Sequence, residues 1–462
     1  MSEELLPSPY ETAAPVTADD SSEITLGALG MFPQPELEEL LQVRSTDTFK
    51  EALNHRAIPE DPALWEGDVA HKIRALSRFK DSTRMTNEMV TFVQEIDGLM
   101  QRGFQLRTHS DRGHRQNFHS LARVARKELK RPMPPVFDSL DGRCATVSGT
   151  AGQGKTRLWQ RLNQAYPSAM ELRGTLPAPT KMWVIPFFYQ PYPFDGTFFG
   201  FMQDMHTRLL SHTMQFGFTE DIFEDLLNTN IVSAANAAVA ILSFFNVGMF
   251  VLDGFSAAAI NADANPILAF VGKLKDWTSI PVVLSGTDAW MNAAGLTGTK
   301  GTCIFNGPSL SLLPTPNPMK GGEEKYVSSL WYKQNQWMWE NGVFSPTHTM
   351  PPALPIWTYD LTYGNLDWLS LGFQALHVAI AKDATLLERE KLTQDEVRRH
   401  FLIALRLLQP ARNFMDVVRD KPKGVNKFDF VHHIDRLTLA EICRYNKYWV
   451  QKSHMRAPWL AK

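Results

Sequence analysis

The sequence has little of what marks secreted proteins, membrane-spanning proteins or proteins with a global affinity for nucleic acid. Its three cysteines, Cys144, Cys303 and Cys443, lie far apart, so we expect a reducing compartment and no zinc site or disulfide framework. The first residues are acidic and polar, so no secretory signal is expected. The 47 basic and 49 acidic residues give a net charge of −2, so any contact with DNA must come from a local patch.

One stretch without charge, residues 231–252, has about the length that a bilayer requires. Polar residues interrupt this stretch at helical spacing, namely Ser233, Asn236, Ser243 and Asn246. Gly248 then precedes a short apolar run. We therefore expect a helix of a water-soluble protein followed by a buried strand, and no membrane span.

Short apolar runs alternate with helical stretches between residues 132 and 300. The four predicted strands are Arg143–Ser148, Met182–Phe188, Met249–Leu252 and Val282–Ser285. Strands that are separated by helices indicate a parallel sheet with helices on both faces, which is an α/β fold.

The first of these strands runs into a sequence that matches the phosphate-binding P-loop pattern G-x-x-x-x-G-K-[ST]. The eight residues are Gly149, Thr150, Ala151, Gly152, Gln153, Gly154, Lys155 and Thr156. Glycines let the backbone turn its N–H groups towards phosphate oxygens, and the following helix adds the positive end of its dipole. Lys155 is expected to reach the β- and γ-phosphates of ATP, and the Thr156 hydroxyl to ligate Mg²⁺.

Two later strands supply further candidate residues. Asp253 ends the apolar run 249–252 and is expected to hold the Mg²⁺ together with Thr156. The next residue in AAA+ proteins is usually a glutamate that activates the attacking water, but here it is Gly254. Thr287, after the strand 282–285, is the candidate for contact with the γ-phosphate or the water. The sequence therefore predicts ATP and Mg²⁺ binding and leaves hydrolysis open.

The sequence divides into five predicted segments around this site. The core is predicted to be a P-loop domain that resembles AAA+ domains, with an N-terminal helical extension and a C-terminal helical lid. An acidic leader is expected to be disordered, and the tail to be basic; both are either solvated or bound to partners. The boundaries are leader 1–30, extension 31–131, core 132–326, lid 327–419 and tail 420–462. Within them, we expect a helix from Glu36 to Leu53 and a loop or linker over 301–326.

A basic stretch from Arg102 to Arg131 ends the extension. A run of charge is usually a solvated face, and contact with the DNA backbone is the alternative. The stretch contains Arg102, Arg107, Arg112, Arg115, Arg123, Arg126, Lys127, Lys130 and Arg131, with His109, His114 and His119 between them.

The ordered set of motifs resembles the AAA+ ATPases of the TnsC/TniB family, which regulate transposons that use a DDE transposase. The similarity extends roughly from residue 55 to 415. Beside the P-loop it includes the segments Arg56–Asp61, Ile96–Phe104, Ile280–Thr287, Gly364–Asp367, Leu392–Thr393 and Val397–Leu408. Asp367 stands where many AAA+ proteins have a sensor arginine, so no such residue is assigned.

The resemblance implies a function. ATP-bound subunits would assemble as a ring or helical filament on double-stranded DNA, without strong sequence preference, in the bacterial cytoplasm at the nucleoid. The oligomer would recruit the transposase and target-selector subunits and so control transposition. In relatives, loops after the second strand follow the DNA, but the matching stretch Tyr189–Gly196 has no lysine or arginine, so no DNA-contact residue is assigned.

Two other functions are compatible with the motifs. A nucleotide-gated scaffold that binds only proteins, with little or no ATP hydrolysis, is favoured by Gly254 and by the near-neutral charge. A small-molecule P-loop kinase would need an arginine-rich lid close to the loop, and the sequence shows no clear lid of that kind.

Overall fold

A computed structural model describes most of the chain between residues 42 and 445. The described residues are 42, 44–107, 112–129, 142–173, 181–257, 264–295, 306–321, 323–388 and 391–445. The expected acidic leader and the first residues of the helix predicted from Glu36 lie outside them.

Five helices precede the sheet: α1 (Thr46–Leu53), α2 (Pro62–Glu66), α3 (Val69–Leu76), α4 (Asn87–Leu106) and α5 (Arg112–Ala125). Within the described part of the predicted helix Glu36–Leu53, α1 begins at Thr46, because Ser45 has an extended backbone and its hydroxyl accepts the Thr48 N–H. In α4, Phe92, Val93 and Ile96 are buried on one face, as their helical spacing predicts.

A five-stranded parallel sheet forms the centre of the molecule. Its strands are β1 (Cys144–Gly149), β4 (Phe187–Pro191), β5 (Met249–Phe255), β6 (Val282–Gly286) and β7 (Ser309–Leu312), in the spatial order β4-β5-β6-β1-β7. The helices between them are α6 (Lys155–Ala165), α7 (Phe198–Thr213), α8 (Ile231–Phe244), α9 (Ala264–Thr278) and α10 (Asp288–Gly295).

Helices cover both faces of this sheet. Phe250 and Leu252 belong to one apolar cluster, which contains residues of α5, α7, α8 and α9. Their neighbours Met249 and Val251 belong to a second cluster with residues of α1, α4 and α6. This alternation follows from the period of two along a strand. The predicted α/β class is confirmed: a parallel sheet has helices on both faces, and further helices precede and follow it.

Two predictions about strands are wrong. The strand predicted over Met182–Phe188 is two strands, β3 (Lys181–Val184) and β4, because Pro186 lies between them and has no N–H for a ladder. Strand β3 pairs with an unpredicted strand, β2 (Met170–Arg173), in a separate antiparallel sheet. The predicted linker 301–326 contains β7, which pairs with β1 in parallel at the sheet edge.

The uncharged stretch 231–252 forms a helix followed by a buried strand, as predicted. It consists of helix α8 and the first residues of β5. Asn236 of its polar stripe is buried and accepts a hydrogen bond from the Lys273 ammonium. Within the described ranges, no helix is long and apolar enough to cross a membrane.

The remaining helices follow the sheet in the chain. They are α11 (Glu323–Tyr326), α12 (Leu330–Glu340), α13 (Leu354–Thr362), α14 (Leu366–Lys382), α15 (Gln394–Ala404), α16 (Gln409–Asp420), α17 (Lys427–His433) and α18 (Leu439–Arg444). Residues of α12 to α15 share an apolar cluster with the N-terminal extension. Residues 427–445, here called the C-terminal segment, fall within the predicted tail but are folded. Phe430, Ile434 and Ile442 are buried in a cluster with Ala257 and Ala289 of the core.

Candidate nucleotide-binding site

The predicted P-loop connects the end of β1 to the start of α6. Gly149, Gly152 and Gly154 have positive φ angles of 144°, 86° and 84°, which glycine adopts without the cost that a side chain brings. Gly149 also passes close to β7, since a Cβ there would lie 2.1 Å from the Leu312 carbonyl oxygen. The loop therefore places main-chain N–H groups at the positive end of α6, which is a geometry suited to phosphate.

The ammonium group of Lys155 lies across this loop. Its Nζ donates to the carbonyl oxygens of Gly149 at 3.1 Å and Thr150 at 2.8 Å. Burial lowers the pKa of Lys155 to about 8, and the carboxylates of Asp253, Asp288 and Asp435 oppose this shift. A phosphate group in the loop would supply the negative charge that such a buried ammonium favours.

Thr156 and Asp253, the predicted Mg²⁺ ligands, are in contact. The Thr156 hydroxyl donates to Asp253 Oδ2 at 2.8 Å. The carboxylate is buried and accepts two more hydrogen bonds, from Ser285 Oγ at 2.5 Å and Tyr189 OH at 3.2 Å. Burial and the adjacent Asp253 raise the pKa of Tyr189, so its hydroxyl stays a donor. Asp253 is thus fixed beside the loop.

Gly254 has no side chain, and its backbone also departs from that of a regular strand. Its φ is 98°, and the pairing of β5 with β6 shifts register between Asp253 and Phe255. Such a bulge re-aims the chain at this point. Gly254 lines the cleft but brings no carboxylate to it.

Thr287 follows β6 and lies in the same cleft as the P-loop. Its N–H donates to the Phe255 carbonyl at 2.8 Å, which fixes the turn after the strand. Its hydroxyl donates to Asp435 Oδ1 at 2.5 Å and accepts the Trp290 N–H at 3.3 Å. The structure thus brings all three predicted catalytic residues, Lys155, Asp253 and Thr287, to one cleft.

Asp435 of the C-terminal segment also reaches the site, although it belongs to no sequence motif. Its carbonyl oxygen accepts the Ala151 N–H at 2.8 Å, and its Oδ1 accepts the Ala257 N–H at 2.8 Å as well as the Thr287 hydroxyl. Nearby, the Leu439 N–H donates to Asp288 Oδ2 at 3.1 Å. The segment is therefore attached to the P-loop itself and to the ends of β5 and β6.

The start of α14 also contacts the P-loop directly. Asn365 caps this helix and donates through Nδ2 to the Ala151 carbonyl at 2.8 Å. The Asp367 N–H donates to the Gly152 carbonyl at 3.0 Å. Many AAA+ proteins have a sensor arginine at the position of Asp367. Here the lid contacts the loop through the Asp367 backbone and the Asn365 side chain, without such an arginine.

The cleft has a volume of about 420 Å³ and continues from the P-loop between the N-terminal extension and the predicted lid, each of which adds apolar side chains to its lining. The N-terminal extension contributes Met85 and Met89, and the predicted lid contributes Met338 and Leu366. Methionine side chains adapt to flat ring systems. The sequence motifs gave no sign of these residues.

Among the described basic residues of the stretch 102–131, Arg102, Arg123, Arg126 and Lys127 are exposed, as expected of a solvated face, whereas Arg107 is not. Arg107 is buried and donates to the carbonyl oxygens of Gly103 at 2.9 Å and Val247 at 2.7 Å. Burial lowers the pKa of Arg107 to about 9. Lys127 forms an ion pair with Glu224 at 3.1 Å. The side chains of His109, Arg112, His114, Arg115, Lys130 and Arg131 lie outside the described residues.

The stretch Tyr189–Gly196 serves partly to build the site. Tyr189 contacts Asp253, and the ring of Tyr192 packs on Phe255 with centroids 4.6 Å apart. Phe194, at the tip of the following turn, is fully exposed.

The sequence matches no protein-family model and no curated protein. Among solved structures, the chain is similar to the Walker-type ATPase PABY2304 of Pyrococcus abyssi, with a TM-score of 0.36, 10% identity, and coverage of 75% of this chain and 91% of that chain. It is also similar to the ORC2 protein of Aeropyrum pernix, solved as ADPNP–ADP complexes, with a TM-score of 0.35, 12% identity, and coverage of 74% and 86%.

Proposed function

We propose that the chain binds ATP with Mg²⁺ in this cleft. The observation that carries the proposal is the 2.8 Å contact between Thr156 Oγ1 and Asp253 Oδ2 beside a glycine loop at a helix N-terminus. Magnesium prefers one or two protein oxygens together with phosphate oxygens and water, and this pair supplies one hydroxyl and one carboxylate oxygen. Bound there, the ion would neutralise charge on the phosphates.

The rest of the cleft accommodates the remainder of a nucleotide. The phosphates would lie along residues 149–156, with the Lys155 ammonium on the terminal ones. The base would lie between the extension and the lid, where Met85, Met89 and Met338 form an apolar lining. A bound nucleotide would thus touch the core, the extension and the lid together, so its binding favours one arrangement of the three.

The biological role that we propose is control of DNA transposition. ATP-bound subunits would assemble as a ring or filament on double-stranded DNA and recruit the transposase and target-selector subunits. The support for this role is the ordered resemblance of residues 55–415 to the TnsC/TniB family. Contacts to DNA would be to the phosphate backbone, and binding would fall steeply with salt.

Gel shift with random duplex DNA tests the role. Wild-type protein with a nonhydrolysable ATP analogue and Mg²⁺ should shift the duplex, and the shift should weaken between 50 and 200 mM salt by on the order of 10³-fold if six or more phosphates are contacted. Lys155→Ala is the control without nucleotide binding. Electron microscopy of the shifted sample should show rings or filaments.

A nucleotide-gated protein scaffold with little or no hydrolysis is the second candidate function. Two observations favour it: Gly254 brings no carboxylate to the cleft, and Arg107 is buried in the core rather than available to DNA. This function predicts ATP binding, no shift of random duplex and no phosphate release above that of Lys155→Ala.

A further inference from the structure

Beside Thr287, at the edge of the cleft, lies a carboxylate that occupies no position in the recognised motifs. Asp435 comes from the C-terminal segment, 148 residues after Thr287, and its Oδ1 lies 2.5 Å from the Thr287 hydroxyl. The usual source of a base at this edge of the sheet, the residue after Asp253, is a glycine in a bulge. Asp435 is thus the carboxylate joined to the residue predicted to meet the attacking water.

The hydrogen bonds of Thr287 determine where its hydroxyl donates its proton and which lone pair remains free to accept a hydrogen bond. A hydroxyl has one proton to donate and two lone pairs that accept. An ionised carboxylate only accepts, so the Thr287 proton points to Asp435. The Trp290 N–H uses one lone pair at 3.3 Å. The remaining lone pair can accept a proton from a water in the cleft.

The segment holds Asp435 firmly in this place. Its carbonyl oxygen is bound by the Ala151 N–H of the P-loop, and Oδ1 is bound by the Ala257 N–H after β5. The adjacent residues Ile434 and Leu437 are buried. A base needs such fixed geometry relative to the reacting groups.

We propose that Thr287 and Asp435 form a proton relay that replaces the missing glutamate in ATP hydrolysis. This inference rests on the proposed binding of ATP in the same cleft. The water oxygen forms a bond to the γ-phosphorus, and the bond from the γ-phosphorus to the β–γ bridging oxygen breaks, leaving ADP and phosphate. One proton of the water passes to Thr287 Oγ1 as the Thr287 proton passes to Asp435.

Asp435→Asn tests the relay, because an amide keeps an acceptor oxygen for Ala257 but is a poor base. We expect kcat for ATP hydrolysis to fall by about 100-fold, a usual contribution of a general base. The dissociation constant for ATP and the melting temperature should stay within experimental error. Asp429→Asn, which removes a charge from the same segment, is the matched control and should hydrolyse ATP like the wild type.

Thr287→Val is the second variant, and it remains informative if Asp435→Asn does not fold. It should lower kcat to a similar degree. The double variant should be no slower than the slower single one, because residues that act as a unit are not additive.

Three results overturn the relay. The first is an Asp435→Asn kcat within twofold of the wild type. The second is a loss of kcat that parallels losses of ATP affinity and melting temperature, which would make Asp435 a structural clamp. The third is ATP binding by the wild type without hydrolysis above that of Lys155→Ala, which leaves the proposed nucleotide binding intact. Failure of the wild type to bind ATP would instead overturn the proposed function.

Discussion

The two sides of the cleft differ in how they are built. The phosphate side is local: residues 149–156 form one loop, and Asp253 and Thr287 follow strands of the same sheet. The closing side comes from distant parts of the chain, with Met85 in the extension, Asn365 in the lid and Asp435 in the C-terminal segment. The proposed phosphate site is therefore a property of the core, whereas the proposed proton relay depends on how the extensions pack.

The largest effect should come from the local side. Lys155→Ala removes the ammonium that lies across the loop, and ATP affinity should fall by about 100-fold or more, the usual cost of losing a buried charge contact. Lys181→Ala removes an exposed lysine that pairs with Glu171 at 3.1 Å and should bind ATP normally. Titration calorimetry measures both, and similar affinities for the two variants would refute the local role of Lys155.

The contact between the two sides can be broken at Gly152. A Cβ there would lie 2.6 Å from Asn365 Oδ1, at a φ of 86°, so Gly152→Ala should cost about 2–3 kcal/mol of unfolding free energy and weaken ATP binding. Gly98→Ala meets no atom within 4 Å on a helix and should instead stabilise by about 0.5–1 kcal/mol. Urea denaturation compares them, and equal stability of both variants would contradict the packing of lid on loop.

A smaller effect should follow removal of the lid side chain alone. Asn365→Ala loses the cap of α14 and the hydrogen bond to Ala151, for about 1–2 kcal/mol in all, and should also weaken ATP binding. Thr393→Ala loses only the cap of α15. If both variants bind ATP equally well, the lid contact has no part in nucleotide binding.

Gly254→Glu should have the smallest effect on ATP binding and should not raise kcat. Its side chain would extend from a backbone at φ 98°, at a cost of about 1–2 kcal/mol, in a direction set by the bulge rather than by the strand. Gly217→Glu is the control for backbone strain. Gly217 is exposed and has a similar φ of 84°, and a Cβ there would meet no atom within 4 Å. A clear gain of hydrolysis in Gly254→Glu alone would show that only the side chain was missing.

The local side could be predicted from sequence because strand, loop and helix are adjacent in the chain. The pattern identified all eight P-loop residues, and the apolar run before Asp253 placed this residue at a strand end. Strand β7 was missed because only Leu310 and Leu312 of its four residues point inward. The predicted strand over 182–188 was too long, since the apolar run does not show that Pro186 separates two sheets.

The closing side could not be predicted, because no sequence spacing relates its residues to the loop. Arg107 looked like part of a basic surface, yet a helix end at Leu106 turns it into the core, where the Val247 carbonyl binds it. Asp435 lies between the apolar residues Ile434 and Leu437, a pattern that indicates a buried turn but not its partner. Only the packing of the C-terminal segment on Ala257 and Ala289 brings it to Thr287.

The central claim is that Thr156 and Asp253, which are in contact, hold Mg²⁺ beside the bound ATP. Calorimetric titration of ATP with and without Mg²⁺ tests this claim most directly. Wild-type protein should bind ATP at least about 10-fold more tightly with Mg²⁺, and Asp253→Asn should lose this gain because the amide brings no charge to the ion. Equal affinity of the wild type with and without Mg²⁺, or the same gain in Asp253→Asn, would contradict the account.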